Sequence, residues 1–266
     1  GVDDKVSYGN FTTDLVVSDY PFTMAAWYKT TNSGEQYIIY NGRPTSGFLR
    51  HAIYMHGGIV TLEAVNDSGS ANTKEIMDNV QTNDGEWHHI AAVFESASSR
   101  NLYVDGILKG TDTDELNTFG LDPIRFSVGV KDNENSNTNL SPSGFFNGEI
   151  DEVRVYRSTL SASEINDIKS GRDCSSNIKA LYYNFNDQST TIAEDQFTDF
   201  DGTISGTTSV ASTLSIGALE ATIISAPING TATFTDDFEI TYTPDLNFIG
   251  TDQLTYQLQI GDCKTS

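Results

Sequence analysis

Short apolar runs, several of them alternating with polar positions, recur along most of this chain. FTMAAWYKT (22–30), QYIIYNG (36–42), HAIYMHGGIVTLEAV (51–65), WHHIAAVF (87–94), NLYVDGILKG (101–110), IRFSVGV (124–130) and EIDEVRVY (149–156) are short runs of β-branched and aromatic residues. Turn-forming clusters such as NSGE, NDSGS and NDGE separate them. Many short strands with polar turns and no intervening helices predict an antiparallel sandwich or jelly roll. Within NLYVDGILKG, Asp105-Gly106 marks a two-residue hairpin, because a type I′ turn needs positive φ at both central positions.

One stretch keeps helical spacing instead. In STLSASEINDIKSG, Ser161 and Glu164 stand at capping-box distance, Ile165 and Ile168 form an apolar stripe, and Gly171 suits a left-handed end. This predicts a single short helix near 162–169. KALYYNF (179–185) returns to alternation, and the texture changes around residue 210. From there SAPINGTATFTDDFEITYTPDLNFIGTDQLTYQLQIGDC carries few charges on its strands, many threonines, and Pro or Gly at the turns, so a domain boundary is expected near 210–216.

Charge narrows the partners. The 266 residues include 37 acids against 15 Lys and Arg, a formal net charge of −22. Such a chain has little with which to neutralise a phosphate backbone, so nucleic acid is excluded as a partner. No apolar run approaches ~18 residues, so no membrane-spanning helix is expected. The polar opening GVDDKVSYGN has no signal-peptide pattern and reads as the start of an excised piece of something larger. Cys174 and Cys263 allow one disulfide in an extracellular setting or two separate thiols.

Five linked motifs, GVDDKVSYGNF, FTMAAWYKT, DGEWHHIAAVF, LYVDGILKG and FFNGEIDEVRVYRSTLSASEI, follow in one order over about residues 1–170. Together they closely resemble the bacterial laminin-G-like jelly roll of the concanavalin A-like lectin/glucanase superfamily. ALYYNF and DGTISG resemble the strand and loop that trail this domain in secreted multidomain proteins, which places residues 1–210 in the first domain. Residues 217–266 resemble a cadherin-like or bacterial Ig-like repeat. An Ig sandwich takes ~7 strands over ~100 residues, so this shorter piece either lacks strands or borrows them from its neighbour. The first resemblance implies a two-sheet all-β jelly roll that binds carbohydrate or protein ligands, often with one calcium ion. The second implies a spacer. Both imply a secreted or cell-surface protein.

The acids of EIDEVRVY pose the catalytic question. Glucanases of the superfamily carry a Glu-x-Asp-x-Glu strand with all three acids on one face. On a regular strand Glu149 and Asp151 share a face, Val153 takes the third place, and Glu152 points the other way. A non-catalytic module is therefore expected. The resemblance aligns Asp151 with the residue that ligates a structural calcium in many relatives. Asp3, Asp4, Asn41 and Gly42 are candidates for its neighbourhood, with loop carbonyls supplying the rest of the 6–8 oxygens the ion takes; the alternative is a solvated strand end. In KDNENSNTNLSPS (131–143), Asp132, Asn133 and Asn135 are candidate oxygen donors to a sugar or an ion, although the loop lacks EF-hand spacing.

His88 and His89 are adjacent on a strand and so point to opposite faces, which argues against zinc. Trp27 and Trp87 lie in the family's strand motifs and read as packing residues. A ligand face is expected from Arg50, Tyr54 and His56, which alternate along one strand, with Tyr103 and Arg125 similarly placed on theirs. Rings and guanidinium groups suit a polysaccharide or glycoconjugate, with a protein ligand as the other class. A glycan-degrading enzyme and a purely structural spacer are the competing functions. No phosphate-binding glycine loop and no Gly-x-Ser-x-Gly elbow occurs.

Overall fold

The computed structural model describes residues 5–8, 19–42, 50–65, 73–116, 125–132, 141–172, 177, 179–185, 191–196, 201–206, 214, 219–234, 240–260 and 263–265. The chain divides into two compact units, Gly1–Ile165 with Ser176–Leu214, and Asn166–Ser175 with Ser215–Ser266.

The first unit is a two-sheet antiparallel sandwich. Its larger sheet contains β1 (Lys5–Tyr8), β3 (Gln36–Gly42), β4 (Arg50–His56), β5 (Ile59–Val65), β6 (Thr73–Met77), β10 (Arg125–Val128), β13 (Ile192–Ala193) and β14 (Gly202–Ser205). They run in the order β13-β14-β1-β10-β3-β4-β5-β6. The smaller sheet contains β2 (Phe22–Lys29), β7 (His88–Ser96), β8 (Ser99–Val104), β9 (Ile107–Asp112), β11 (Glu149–Tyr156) and β12 (Lys179–Tyr183), in the order β12-β11-β2-β7-β8-β9. The trailing strands β12 to β14 thus complete one edge of each sheet.

Alternation explains the core. Phe22, Met24, Ala26 and Tyr28 from β2 meet Ile90, Ala92 and Phe94 from β7 and, across the sandwich, Ile39, Ile53, Met55 and Leu62. The Phe22 and Phe94 rings stack with centroids 4.5 Å apart, and truncating such a buried ring typically costs about 3–5 kcal/mol. At the other edge, β6 and β9 approach each other, tied by Lys109–Asp78 at 3.2 Å. Local signals behave as the sequence predicts. Asp105 and Gly106 take φ of 52° and 81° in the β8–β9 hairpin.

The helix α1 spans Ala162–Lys169. The Glu164 carboxylate accepts from the Ser161 amide at 2.8 Å, while the Glu164 amide donates to Ser161 Oγ at 3.3 Å. Gly171 closes it at φ 76°.

The second unit is small. β15 (Leu219–Ser225), β18 (Thr255–Ile260) and β19 (Cys263–Thr265) form one sheet, and β16 (Gly230–Phe234) pairs with β17 (Ile240–Pro244). The Asp252 carboxylate pins the turn before β16 by accepting from the amides of Ile228 and Asn229 and from the Tyr242 hydroxyl. Cys174 and the Cys263 side chain lie outside the described residues, as do Asp3, Asp4, Asn133 and Asn135.

Candidate ligand-binding face

The outer face of the eight-stranded sheet is built by a break in alternation. Tyr37 pairs with Tyr54, but Ile39 pairs with Ile53, so Ile38 is an extra residue. Ile38 and Ile39 both enter the core, and Tyr37 and Tyr40 both emerge on the opposite face. A regular strand would put Tyr37 and Tyr40 on opposite sides; the bulge unites them.

Tyr37 and Tyr54 stack with centroids 5.3 Å apart and 22° between their planes, and Tyr40 meets Tyr37 edge-on at 6.1 Å. Burial drives the Tyr40 hydroxyl up to about 12. Tyr37 and Tyr54 are shifted up as well, chiefly by burial, so all three act as neutral phenols.

Charged groups frame the rings. Arg50 grips Glu63 through both carboxylate oxygens, at 2.6 and 2.5 Å, a fork-to-fork geometry that fixes both side chains. The Tyr54 hydroxyl donates to Glu75 at 3.0 Å. Lys131 stands 5.5 Å over the Tyr37 ring, and a bridge pairing Lys131 with Ser143 fixes its backbone. Gly42 serves the same face: a β-carbon there would meet the Tyr40 ring at 2.5 Å.

The expected ligand residues separate into groups. Arg50, Tyr54 and Arg125 share this face, and His56 is exposed at the end of β4. Tyr103 belongs to the other sheet, opposite Ala91. Asp132 is buried, accepting from Ser7, Lys5 and Arg125 at 2.8, 3.1 and 2.8 Å. Burial pushes its carboxyl pKa up, but these partners outweigh that and leave it lowered. Asp132 therefore ties β1 to β10. Tyr37, Tyr40, Glu63 and Lys131 were not singled out from the sequence. The tyrosine pair in QYIIYNG was the available signal, hidden by its odd spacing.

The outer face of the smaller sheet holds the acids, again through a bulge. Asp151 pairs with Trp27 and Arg154 with Ala25, leaving one extra residue between them, and Glu152 takes φ 51°. This corrects the regular-strand reading. Val153 turns into the core, while Glu152 joins Arg154 on the outer side. All three acids of the strand face outward, yet each is engaged. Glu149 pairs with Lys29 at 3.5 Å. Asp151, buried, caps the Glu152 amide at 2.7 Å. Glu152 is ion-paired with Arg154 and accepts from the Tyr182 hydroxyl at 2.8 Å.

Asn41 and Gly42 lie on the larger sheet, where Asn41 pairs with His51 at the Phe22 end of the sandwich. Asp151 lies opposite Trp27, five positions along β2 from Phe22, so the structure does not bring Asp151 together with Asn41 and Gly42. Among the described residues no group of three His, Cys, Asp or Glu side chains converges as a metal site. His89 turns toward Trp27 at 5.4 Å, whereas His88 bonds Asp84 and Asp105. Trp27 and Trp87 are half-buried and outside the intersheet cluster, not core residues as expected.

The family model described as the concanavalin A-like lectin/glucanases superfamily matches residues 3–166. The chain belongs to that superfamily. A bacterial Ig domain model matches residues 184–266, beginning within the stretch whose strands β13 and β14 pair into the lectin-like sandwich. No curated protein matches the chain.

Solved structures of the lectin-like fold resemble it at low identity. A Bacteroides ovatus protein named for a supposed carbohydrate-binding role has a TM-score of 0.57 at 17% identity, covering 80% of this chain and 59% of that one. This chain therefore spans less than two thirds of that relative. The CBM40 of Ruminococcus gnavus IT-sialidase, bound to alpha2,3 sialyllactose, has a TM-score of 0.47 at 17% identity, covering 63% and 98%. A SAP-like pentraxin from Limulus polyphemus has a TM-score of 0.47 at 17% identity, covering 64% and 82%. Among the described residues no helix is long and apolar enough to cross a membrane.

Proposed function

We propose that this chain is a non-catalytic binding module of a secreted or cell-surface protein, and that its ligand is a polysaccharide or glycoconjugate. The observation that carries the reading is the stacked Tyr37–Tyr54 pair beside the Arg50–Glu63 fork on one sheet face. Tyr54, only partly buried, offers ring surface to the CH face of a sugar with the buried Tyr37 ring stacked behind it, and Arg50, at 15% side-chain exposure, offers directional hydrogen bonds to its hydroxyls. Membership of the lectin/glucanase superfamily supports the reading. A glycan array probed with the native chain and with Tyr54→Ala tests it. Binding to one or more glycans that Tyr54→Ala removes is expected. A blank array, or binding untouched by Tyr54→Ala, overturns it and leaves a protein ligand or a spacer role.

A glycan-degrading enzyme is the second reading, because the β11 bulge gathers Glu149, Asp151 and Glu152 on one face. The partners of these acids oppose it, since a retaining pair needs two carboxyls about 5 Å apart with one held protonated. Release of product from laminarin, abolished by Glu149→Gln, would install it.

Calcium belongs to the proposal only as an ion beside Asp151. That carboxylate is the hard oxygen donor the ion takes, and the remaining oxygens would come from backbone carbonyls.

A further inference from the structure

Lys131 differs from four other lysines of this chain. Acids outnumber Lys and Arg by 37 to 15, and Lys5, Lys29, Lys74 and Lys109 each lie within 4 Å of a carboxylate. Among the described residues Lys131 has no such partner; its ammonium rests over the Tyr37 ring at 5.5 Å. The position is fixed by reciprocal amide bonds with Ser143, at 3.0 and 3.2 Å.

The charges around it do not neutralise it. Arg50 repels it, and Glu63 is already held by both forks of Arg50. Glu35, exposed, acts on it only at a distance. Burial and Arg50 together lower its pKa, the direction expected of a half-buried cation short of anions. A ring face recovers only part of what a cation loses on leaving water.

We propose that Lys131 is the anion-recognition residue of this face, and that the glycan it binds is acidic, carrying a carboxylate or sulfate that meets the Lys131 ammonium beside a sugar ring seated on Tyr54. This rests on the carbohydrate reading above. The Tyr37 ring orients the ammonium, and the Arg50–Glu63 pair fixes the strands beside it. At physiological ionic strength charges are screened beyond about 8 Å. The chain's distant acids then oppose an anionic ligand weakly, while the direct contact persists.

The test is calorimetric titration in 0.15 M salt with three probes: polygalacturonate, dextran sulfate and neutral dextran. The proteins are the native chain, Lys131→Met, Lys131→Arg and Tyr54→Ala. Lys131→Met keeps the aliphatic stem over Tyr37 and removes only the charge. The expected result is binding of one or both anionic probes, weakened at least about tenfold by Lys131→Met and retained by Lys131→Arg. Preference for polygalacturonate or for dextran sulfate distinguishes carboxylate from sulfate. Binding of neutral dextran alone, or anionic binding indifferent to Lys131→Met, overturns this inference and leaves the carbohydrate reading intact. Failure of all three probes overturns this inference, and a blank glycan array beside it removes the carbohydrate reading as well.

Discussion

A β-carbon added to Gly144 would meet Cδ2 of Tyr37 at 2.8 Å, and Gly144 holds φ at +60°. The Gly144 carbonyl also accepts from the Tyr37 amide at 2.8 Å, so this glycine seats the inner ring of the tyrosine stack. Gly57 has nearly the same backbone, φ +64°, with nothing within 4 Å of its β-carbon position. Gly57→Ala should therefore cost only the left-handed strain, about 1–2 kcal/mol. Gly144→Ala should cost more in urea unfolding and should also weaken glycan binding. Equal costs with unchanged binding would show that the ring is not held by this contact.

Arg154 and Glu152 form a buried ion pair beneath Tyr182, whose ring lies 4.5 Å from the guanidinium. Removing one partner of such a pair strands a buried charge and typically costs about 3–5 kcal/mol. Glu152→Ala should fall in that range by chemical denaturation. The double variant Glu152→Gln, Arg154→Met should recover much of the loss. A single variant within 0.5 kcal/mol of native, on the order of an exposed pair, would contradict the burial.

Two histidines should tilt the pH profile in opposite directions. His51 is buried beside the Tyr20 hydroxyl at 3.0 Å, and burial first, then Arg100, hold its pKa at about 3. Between the unfolded value near 6.5 and that folded value, the unfolded chain binds a proton the native chain refuses. Stability therefore rises with pH across this window, by up to about 1.4 kcal/mol per unit. His51→Gln should flatten the acid limb there. His88 is raised by its hydrogen bonds to Asp105 and Asp84 despite partial burial. Its contribution is present below the unfolded pKa and is lost as pH rises through the folded one. His88→Gln should thus cost more at pH 5 than at pH 8. Melts that shift in parallel across pH for both variants would refute the assignments.

An ion held only by the folded state adds RT ln(1 + [L]/Kd), about 2.7 kcal/mol at a hundredfold excess over Kd. If calcium sits beside Asp151, EDTA should lower Tm and Asp151→Asn should remove that response. A melt indifferent to EDTA ends the calcium proposal and leaves Asp151 as the cap of the Glu152 amide.

Sequence by itself determined most strands of the sandwich, though not β6 or β13, together with the Asp105-Gly106 hairpin and the capped helix, because each depends on residues within a few positions of one another. It also carried the family, since five motifs fall in one order. What only tertiary structure decided is which side chains share a face. Ile38 and Glu152 are extra residues in their strands, and neither has a local signature, because a bulge exists only relative to the partner strand. β3 finds its partners in β4 and β10, and β11 in β2, the last more than a hundred residues away. These long-range registers turn Tyr37 and Tyr40 to one side, send Val153 into the core and bring Glu152 to Arg154. A period-two reading misplaces Val153 and Glu152 and parts the two tyrosines, because one inserted residue reverses every face beyond it.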